Sequence, residues 1–283
     1  MGPDGPTDAR GYSALAEAAR GARSGDARGV DPAAGTVASR SIELAVQAAL
    51  SSGGHGIVTA PLHKPSLHAA GWTFPGQTEM LAALARVERV GMLMAAERTR
   101  LGPPLRVLLA TTHIPLHAVS GAVTTELLVE QVTLLDRALR TDWGLDTPRI
   151  GVCALNPHAS DGGLFGDEEA RVFLPAVEEA KRLGVVVVGP LPADTVFSRA
   201  LAGEFDAVVA PYHDVGMAAF KTVSFKTGVN VTLGLPFVRT SPDHGTAFDI
   251  AGTGKADEAS MLEALRLAHR LARMRFDTLH ADV

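Results

Sequence analysis

The apolar positions of this chain fall into short solid runs, separated by stretches with helical spacing. GIVTA (56–60), GMLMAA (91–96), RVLLATT (106–112), RIGVCAL (149–155), VVVVG (185–189), AVVAP (207–211) and NVTLGL (230–235) predict strands. The runs at 91–96 and 106–112 are joined by a charged turn containing Gly102-Pro103-Pro104. Helical spacing predicts helices over Ser39–Ser51, with Ser39 as N-cap, and over Thr125–Arg140, Gly166–Leu183 and Asp257–Arg275. Pro175 should kink the third of these. Residues 1–37 are rich in Gly, Ala, Asp and Pro and read as mostly loop, with a weak helix at Tyr12–Ala22. Strands recurring between helices predict an α/β fold around a mainly parallel or mixed sheet.

Length and charge narrow the function. With 283 residues, 46% of them hydrophobic, the chain can form one large domain or two interlocked lobes, burying about 75% of its unfolded surface. The net charge of −5, from 26 basic and 31 acidic residues, argues against nucleic acid or a membrane surface as partner. Cys153, the single cysteine, can form neither an internal disulfide nor a CxxC zinc motif and reads as a core residue. No run is long enough to span a bilayer, and the N-terminus lacks the apolar core of a signal peptide, so a cytoplasmic location is expected. There is no GxxxxGK[ST] loop, no GxGxxG after a strand, no GxSxG and no HExxH.

Three expected strands each end in a histidine: RVLLATT at His113, RIGVCALNP at His158 and AVVAPY at His213. A lone histidine at a strand end is usually a hydrogen-bonding or core residue. Three at equivalent positions can converge, because ligands of open α/β sheets bind outside the carboxyl ends of neighbouring strands. Three neutral imidazoles suit a divalent metal and leave positions open for substrate. Asp214 then reads as a carboxylate that orients His213, and Lys221 as an anion-binding or acid/base group. FPGQTEM (74–80) places Gln77 and Thr78 before a helix, where backbone amides and a hydroxyl suit a phosphate. Taken alone, the same loop is better explained as a solvated loop and N-cap that needs no function. PHASDGGLFGDEEA (157–170) enters an acid-started helix, which capping alone accounts for. LPADT (191–195) puts Asp194 after another strand.

TAPLHK, FPGQTEMLA, TTHIPL, NPHASDGGLFGDEE, GPLPADTVF, YHDVGM and GVNVTLGLPFVRTSPDHGTA, in this order, resemble the PdxA family of pyridoxal-phosphate biosynthesis, the 4-hydroxythreonine-4-phosphate dehydrogenases. The resemblance runs from about Gly29 to the C-terminus. It implies an isocitrate/isopropylmalate-dehydrogenase-like fold and a homodimer with the active site near the interface. It also implies a divalent metal (Zn, Co, Mn or Mg) and NAD or NADP. The implied reaction oxidises a secondary alcohol β to a carboxylate in a small anionic substrate, followed by decarboxylation. Carried over, the metal ligands are His113, His158 and His213. The substrate contacts are Gln77, Thr78, Lys221, Asn230 and Arg239, and the catalytic groups are Lys221 and Asp194. His244, Gly245, Thr246 and Asp249, in HGTAFDIAGTGKAD, hold the nucleotide. The chain is expected to form one PdxA-like unit, with approximate lobes 1–75 plus 215–283 on the nucleotide side and 76–214 on the metal and substrate side. Two features depart from the family pattern. Gln77-Thr78 stands where the family usually has His-Thr, and the family's opening strand and Gly-Asp-Pro-Ala-Gly-Ile-Gly-type loop have no match, as if the chain starts after them. That second departure keeps two alternatives open: a metal-dependent non-redox lyase or decarboxylase, and a non-catalytic binding relative.

Overall fold

The computed structural model describes residues 29–51 and 55–277. The weak helix expected at Tyr12–Ala22 lies outside them. The described residues pack as two compact units, the first running to Val90 and taking in Leu235–Ala272, the second formed by Gly91–Gly234 with residues 273–277.

In the first unit the long helix α1 (Pro32–Ser51) begins seven residues ahead of the expected start. Asp31 is its cap, accepting the amides of Ala33 (2.8 Å) and Ala34 (3.3 Å) through Oδ1, and Pro32 occupies the first helical position, where no amide is needed. Ser39 is therefore not a cap. It lies buried inside the helix and donates its hydroxyl to the Thr36 carbonyl. Gly35, which made this segment look like a loop, is needed for packing. A Cβ there would lie 2.0 Å from the Ser66 carbonyl oxygen, on the helix α2 (Lys64–Ala69). A third helix, α3 (Gln77–Ala85), follows. The strands β1 (Gly56–Val58) and β8 (Val238–Pro242) pair in parallel, with Ile57 opposite Arg239. The core of this unit gathers Ile42, Val46, Leu67, Met80, Leu81 and Phe237.

The second unit is built on six strands in the order β7-β2-β3-β6-β4-β5. They are β2 (Gly91–Ala96), β3 (Leu105–Leu109), β4 (Arg149–Cys153), β5 (Val186–Leu191), β6 (Ala207–Ala210) and β7 (Val229–Leu233). β2 runs antiparallel to both β3 and β7, whereas β3, β6, β4 and β5 are parallel. The sheet is mixed, as expected. A four-residue helix α4 (Val119–Ala122) precedes α5 (Thr125–Thr141), which Thr124 caps by accepting the Leu127 amide. The expected kink at Pro175 takes the form of a π-helical turn, Glu169–Phe173, ahead of α6 (Leu174–Arg182). The wide turn accommodates a residue that has no amide to donate. α7 (Ala193–Leu201) and α8 (His213–Val223) complete the unit, and Leu105, Val107, Phe197, Phe205, Val208 and Phe220 fill its core. Each such fully buried side chain contributes about 1.5–3 kcal/mol. The chain's closing helix is α9 (Ala259–Asp277). No single helix among the described residues is long and apolar enough to cross a membrane.

Candidate functional site

The three strands that lead to histidines are neighbours. β3, β6 and β4 stand side by side and parallel, so the chain leaves all three at the same edge of the sheet. From there the three histidines part company. His113 and His213 face each other with ring centroids 5.4 Å apart. They line an open cleft of about 110 Å³ together with Thr112, Ile114, Leu116, Val119, Tyr212 and Asp214. His158 is exposed on the segment Pro157–Gly163 after β4. Among the described residues no group of three or more His, Cys, Asp or Glu side chains is placed to hold a metal.

His213 is the first residue of α8, one turn of chain beyond β6. Its Nδ1 lies 2.8 Å from Asp214 Oδ1. A carboxylate only accepts, so Nδ1 carries the hydrogen and Nε2 presents its lone pair, the arrangement that suits a metal-binding imidazole. His113 and His213 thus fit a soft or borderline divalent cation by donor chemistry and by spacing. Beside them, burial pushes the Tyr212 hydroxyl above its ordinary pKa, with smaller contributions from Cys153 and Asp214. Lys221 is exposed in the last turn of α8, and Asp194 is exposed in the first turn of α7. Asn230, on β7, is half-buried, and its Oδ1 is buried with no hydrogen-bond partner among the described residues.

In the first unit, Gln77 and Arg239 meet. Arg239 is only 3% exposed. Its Nη2 donates to Gln77 Oε1 (2.7 Å) and to Thr59 Oγ1 (2.8 Å), and the Thr59 hydroxyl donates in turn to Gln77 Oε1 (2.8 Å). Gln77 Nε2 donates to the Ala60 carbonyl (3.0 Å). Both ends of the carboxamide are therefore committed to protein. Burial pushes the Arg239 pKa down to about 10, with Glu79 opposing, and the guanidinium remains charged at neutral pH. α3 begins at Gly76 without a side-chain cap. Glu79 Oε2 and Lys64 Nζ stand 3.1 Å and 3.8 Å from where a Cβ on Gly76 would lie, so a carboxylate and a cation both sit beside the start of α3, with Thr78 half-buried there. Thr59 was not singled out from the sequence, although it lies within TAPLHK and one residue past a strand.

His244, Gly245, Thr246 and Asp249 belong to one loop that ends in a 3-10 turn, Phe248–Ile250. His244, Gly245 and Asp249 are exposed. His244 Nδ1 lies 2.9 Å from the Gly245 carbonyl, and no atom comes within 4 Å of a Cβ built on Gly245. This open backbone fits the approach of a nucleotide.

A family model described as "Pyridoxal phosphate biosynthetic protein PdxA" matches residues 12–268. The 4-hydroxythreonine-4-phosphate dehydrogenase of Paracoccus denitrificans is 48% identical over 246 residues, which are 87% of this chain and 76% of that protein. Among solved structures, the 4-hydroxythreonine-4-phosphate dehydrogenase of Klebsiella pneumoniae superposes with a TM-score of 0.78 at 44% identity, covering 86% of this chain and 73% of that one. A terephthalate 1,2-cis-dihydrodiol dehydrogenase from Burkholderia xenovorans LB400 gives 0.63 at 28% identity, covering 86% and 75%. With a family model spanning most of its length and a relative this close, the chain belongs to the PdxA family of pyridoxal phosphate biosynthetic proteins.

Proposed function

We propose that this chain works as a homodimer that oxidises the secondary alcohol of 4-hydroxythreonine 4-phosphate, or of a closely related acid, and releases CO₂ from the β-keto acid formed. The final product from the phosphate is 3-amino-2-oxopropyl phosphate. Its cofactors are a divalent metal (Zn, Co, Mn or Mg) and NAD or NADP. When bound, the metal supplies Lewis acidity at the substrate oxygen and the nicotinamide supplies a hydride acceptor.

The chain's own residues divide the remaining work. His113, His158 and His213 are the metal donors, with Asp214 holding the tautomer of His213. His113 and His213 meet within one chain, and in this reading the third donor, His158, belongs to the second subunit at a site near the dimer interface. Thr78, Lys221 and Asn230 bind the acidic ends of the substrate. Arg239 and Gln77, bound to each other, hold the start of α3 in shape for this contact. Lys221 and Asp194 take the alcohol proton, directly or through water. His244, Gly245, Thr246 and Asp249 receive the nucleotide, which makes the first unit the nucleotide side and the second the metal side.

The observation that supports this reading most is the facing pair His113 and His213 beyond adjacent parallel strands. It occurs in a chain 48% identical to a named dehydrogenase. The test is NADH formation and CO₂ release from 4-hydroxythreonine 4-phosphate by the metal-loaded protein. His113→Ala and His213→Ala should each abolish metal binding and turnover. A folded, metal-loaded protein that forms neither NADH nor NADPH at saturating substrate would reject the proposal.

A further inference from the structure

The loop that carries His158 is unusual in its backbone. His158, Ala159, Ser160, Asp161 and Gly162 have φ of 53°, 54°, 69°, 45° and 70°. Four of the five bear side chains, and L-residues resist the left-handed region because Cβ crowds the following carbonyl. A run of this kind persists only where its surroundings impose it.

The surroundings here are two adjacent glutamates. Glu169 is 4% exposed. One of its oxygens accepts the backbone amides of Leu155 (2.9 Å) and Asn156 (2.7 Å). The other accepts Asn156 Nδ2 (2.9 Å) and the Ser160 hydroxyl. Glu168 takes the same Asn156 Nδ2 (2.7 Å) and binds the Ser120 hydroxyl (2.7 Å) on α4. Gly166 leaves room for this arrangement, since a Cβ there would lie 2.5 Å from Glu168 Oε2 and 2.8 Å from Asn156 Nδ2. Burial pushes the Glu169 carboxyl up, but the Asn156 amide, the Ser160 hydroxyl and the Asn156 side chain outweigh it, leaving the pKa below its ordinary value. Capping explained these acids from the sequence. Instead, Glu169 reaches back into the preceding loop and grips it on both sides of His158.

We propose that Glu169 is a positioning residue for the metal site: by binding both amides ahead of the left-handed turn and the hydroxyl within it, it holds the His158 imidazole where it can coordinate. This rests on the reading of His158 as a metal ligand, and it holds whichever subunit's site the loop serves. Four donors converge on this one carboxylate. An amide in its place has one oxygen, and either orientation turns an NH₂ group toward two of those donors.

Titration with Co²⁺ alone, followed by the visible absorption of the bound ion, tests the proposal without turnover. Glu169→Gln should remain folded and dimeric, bind Co²⁺ about 10- to 100-fold more weakly, the range typical of lost outer partners, and show a changed Co²⁺ spectrum. His158→Ala should lose at least as much. Wild-type Co²⁺ affinity in a folded Glu169→Gln, with affinity lost in His158→Ala, would overturn the positioning role and leave the ligand reading intact. Wild-type affinity in His158→Ala would overturn the ligand reading and this inference with it. A Glu169→Gln protein that is only less stable, with unchanged affinity, would make Glu169 a structural brace and also overturn the inference. Should Glu169→Gln not fold, Ser160→Ala decides. It removes one donor and keeps the carboxylate, and a several-fold loss of affinity is expected. An unchanged affinity there overturns the proposal.

Discussion

Replacing Gln77 by Met tests how a buried charge is held in the first unit. Arg239 is 3% exposed and still charged at neutral pH, since burial pushes its pKa no lower than about 10. A buried guanidinium needs its hydrogen bonds, and Gln77 Oε1 supplies one at 2.7 Å. A hydrogen bond to a charged group contributes about 1.5–3 kcal/mol. The Thr59 hydroxyl also donates to that oxygen, at 2.8 Å, and a neutral bond of this kind contributes about 1 kcal/mol. The third bond, from Nε2 to the Ala60 carbonyl, lies at the surface, where water replaces it. Met matches Gln in length and flexibility, so packing changes little. One compensation remains, because Arg239 Nη2 keeps its bond to Thr59 Oγ1 at 2.8 Å.

The expected cost is therefore about 2–4 kcal/mol, the charge-assisted bond carrying most of it. Urea unfolding gives the measurement, read as a fall in midpoint at constant slope. A midpoint equivalent to less than about 0.5 kcal/mol of change, the usual range for an inconsequential surface substitution, would refute the assignment of Gln77 as the partner of the buried guanidinium.

Two further outcomes follow from the second unit. Ala159 has φ 54°. Ala159→Gly should raise stability by about 0.5–1 kcal/mol, the relief of left-handed strain (about 1–2 kcal/mol) exceeding the added freedom of the unfolded chain (about 0.4–1 kcal/mol). Calorimetry would show this as a higher Tm, and a lower one would mean that the turn is unstrained. Cys153 is fully buried, and burial, with Glu169 adding to it, pushes its thiol pKa up to about 12. It should resist thiol reagents in the native protein and react once per chain in denaturant. Rapid native labelling would contradict its placement in β4.

Solid apolar runs were the most readable part of the fold. All seven runs expected as strands are strands, with ends shifted by a few residues; β2, β3 and β6 are buried almost throughout, and a strand buried on both faces needs apolar side chains at every position, whereas β5 keeps its run although Val186 and Val188 are exposed. The missed strand, β8, shows the converse. Arg239 and Thr240 are polar and yet buried, and each is bonded to a partner that local pattern cannot reveal, Arg239 to Gln77 and Thr59 and Thr240 to the Ala264 carbonyl at 2.8 Å. The start of α1 was hidden in the same way. Gly35 weakens helical propensity, and only the approach of Ser66, 31 residues along the chain, explains it. Helices α2, α7 and α8 were not expected either. They are short or rich in small residues, and their amphipathic signal was overshadowed by the polar motifs they carry.

The site was legible to the same depth. Counting histidines after apolar runs found three residues at one edge of three parallel neighbours, because strand ends are a property of local sequence. Their convergence is not local. It depends on what each loop does after leaving the strand, and the loop after β4 takes a left-handed course that no propensity predicts. Gln77 carries the sharper lesson. From the sequence it stood before a helix at a candidate phosphate loop, where the family usually has histidine. In the structure it faces inward, and its carboxamide is spent on Arg239, Thr59 and Ala60. A polar residue beside a buried cation satisfies that cation first, because leaving a charge unpaired in the interior costs more than a ligand contact returns. The glutamine that stands in place of the family's histidine is therefore a partner of Arg239 in this chain.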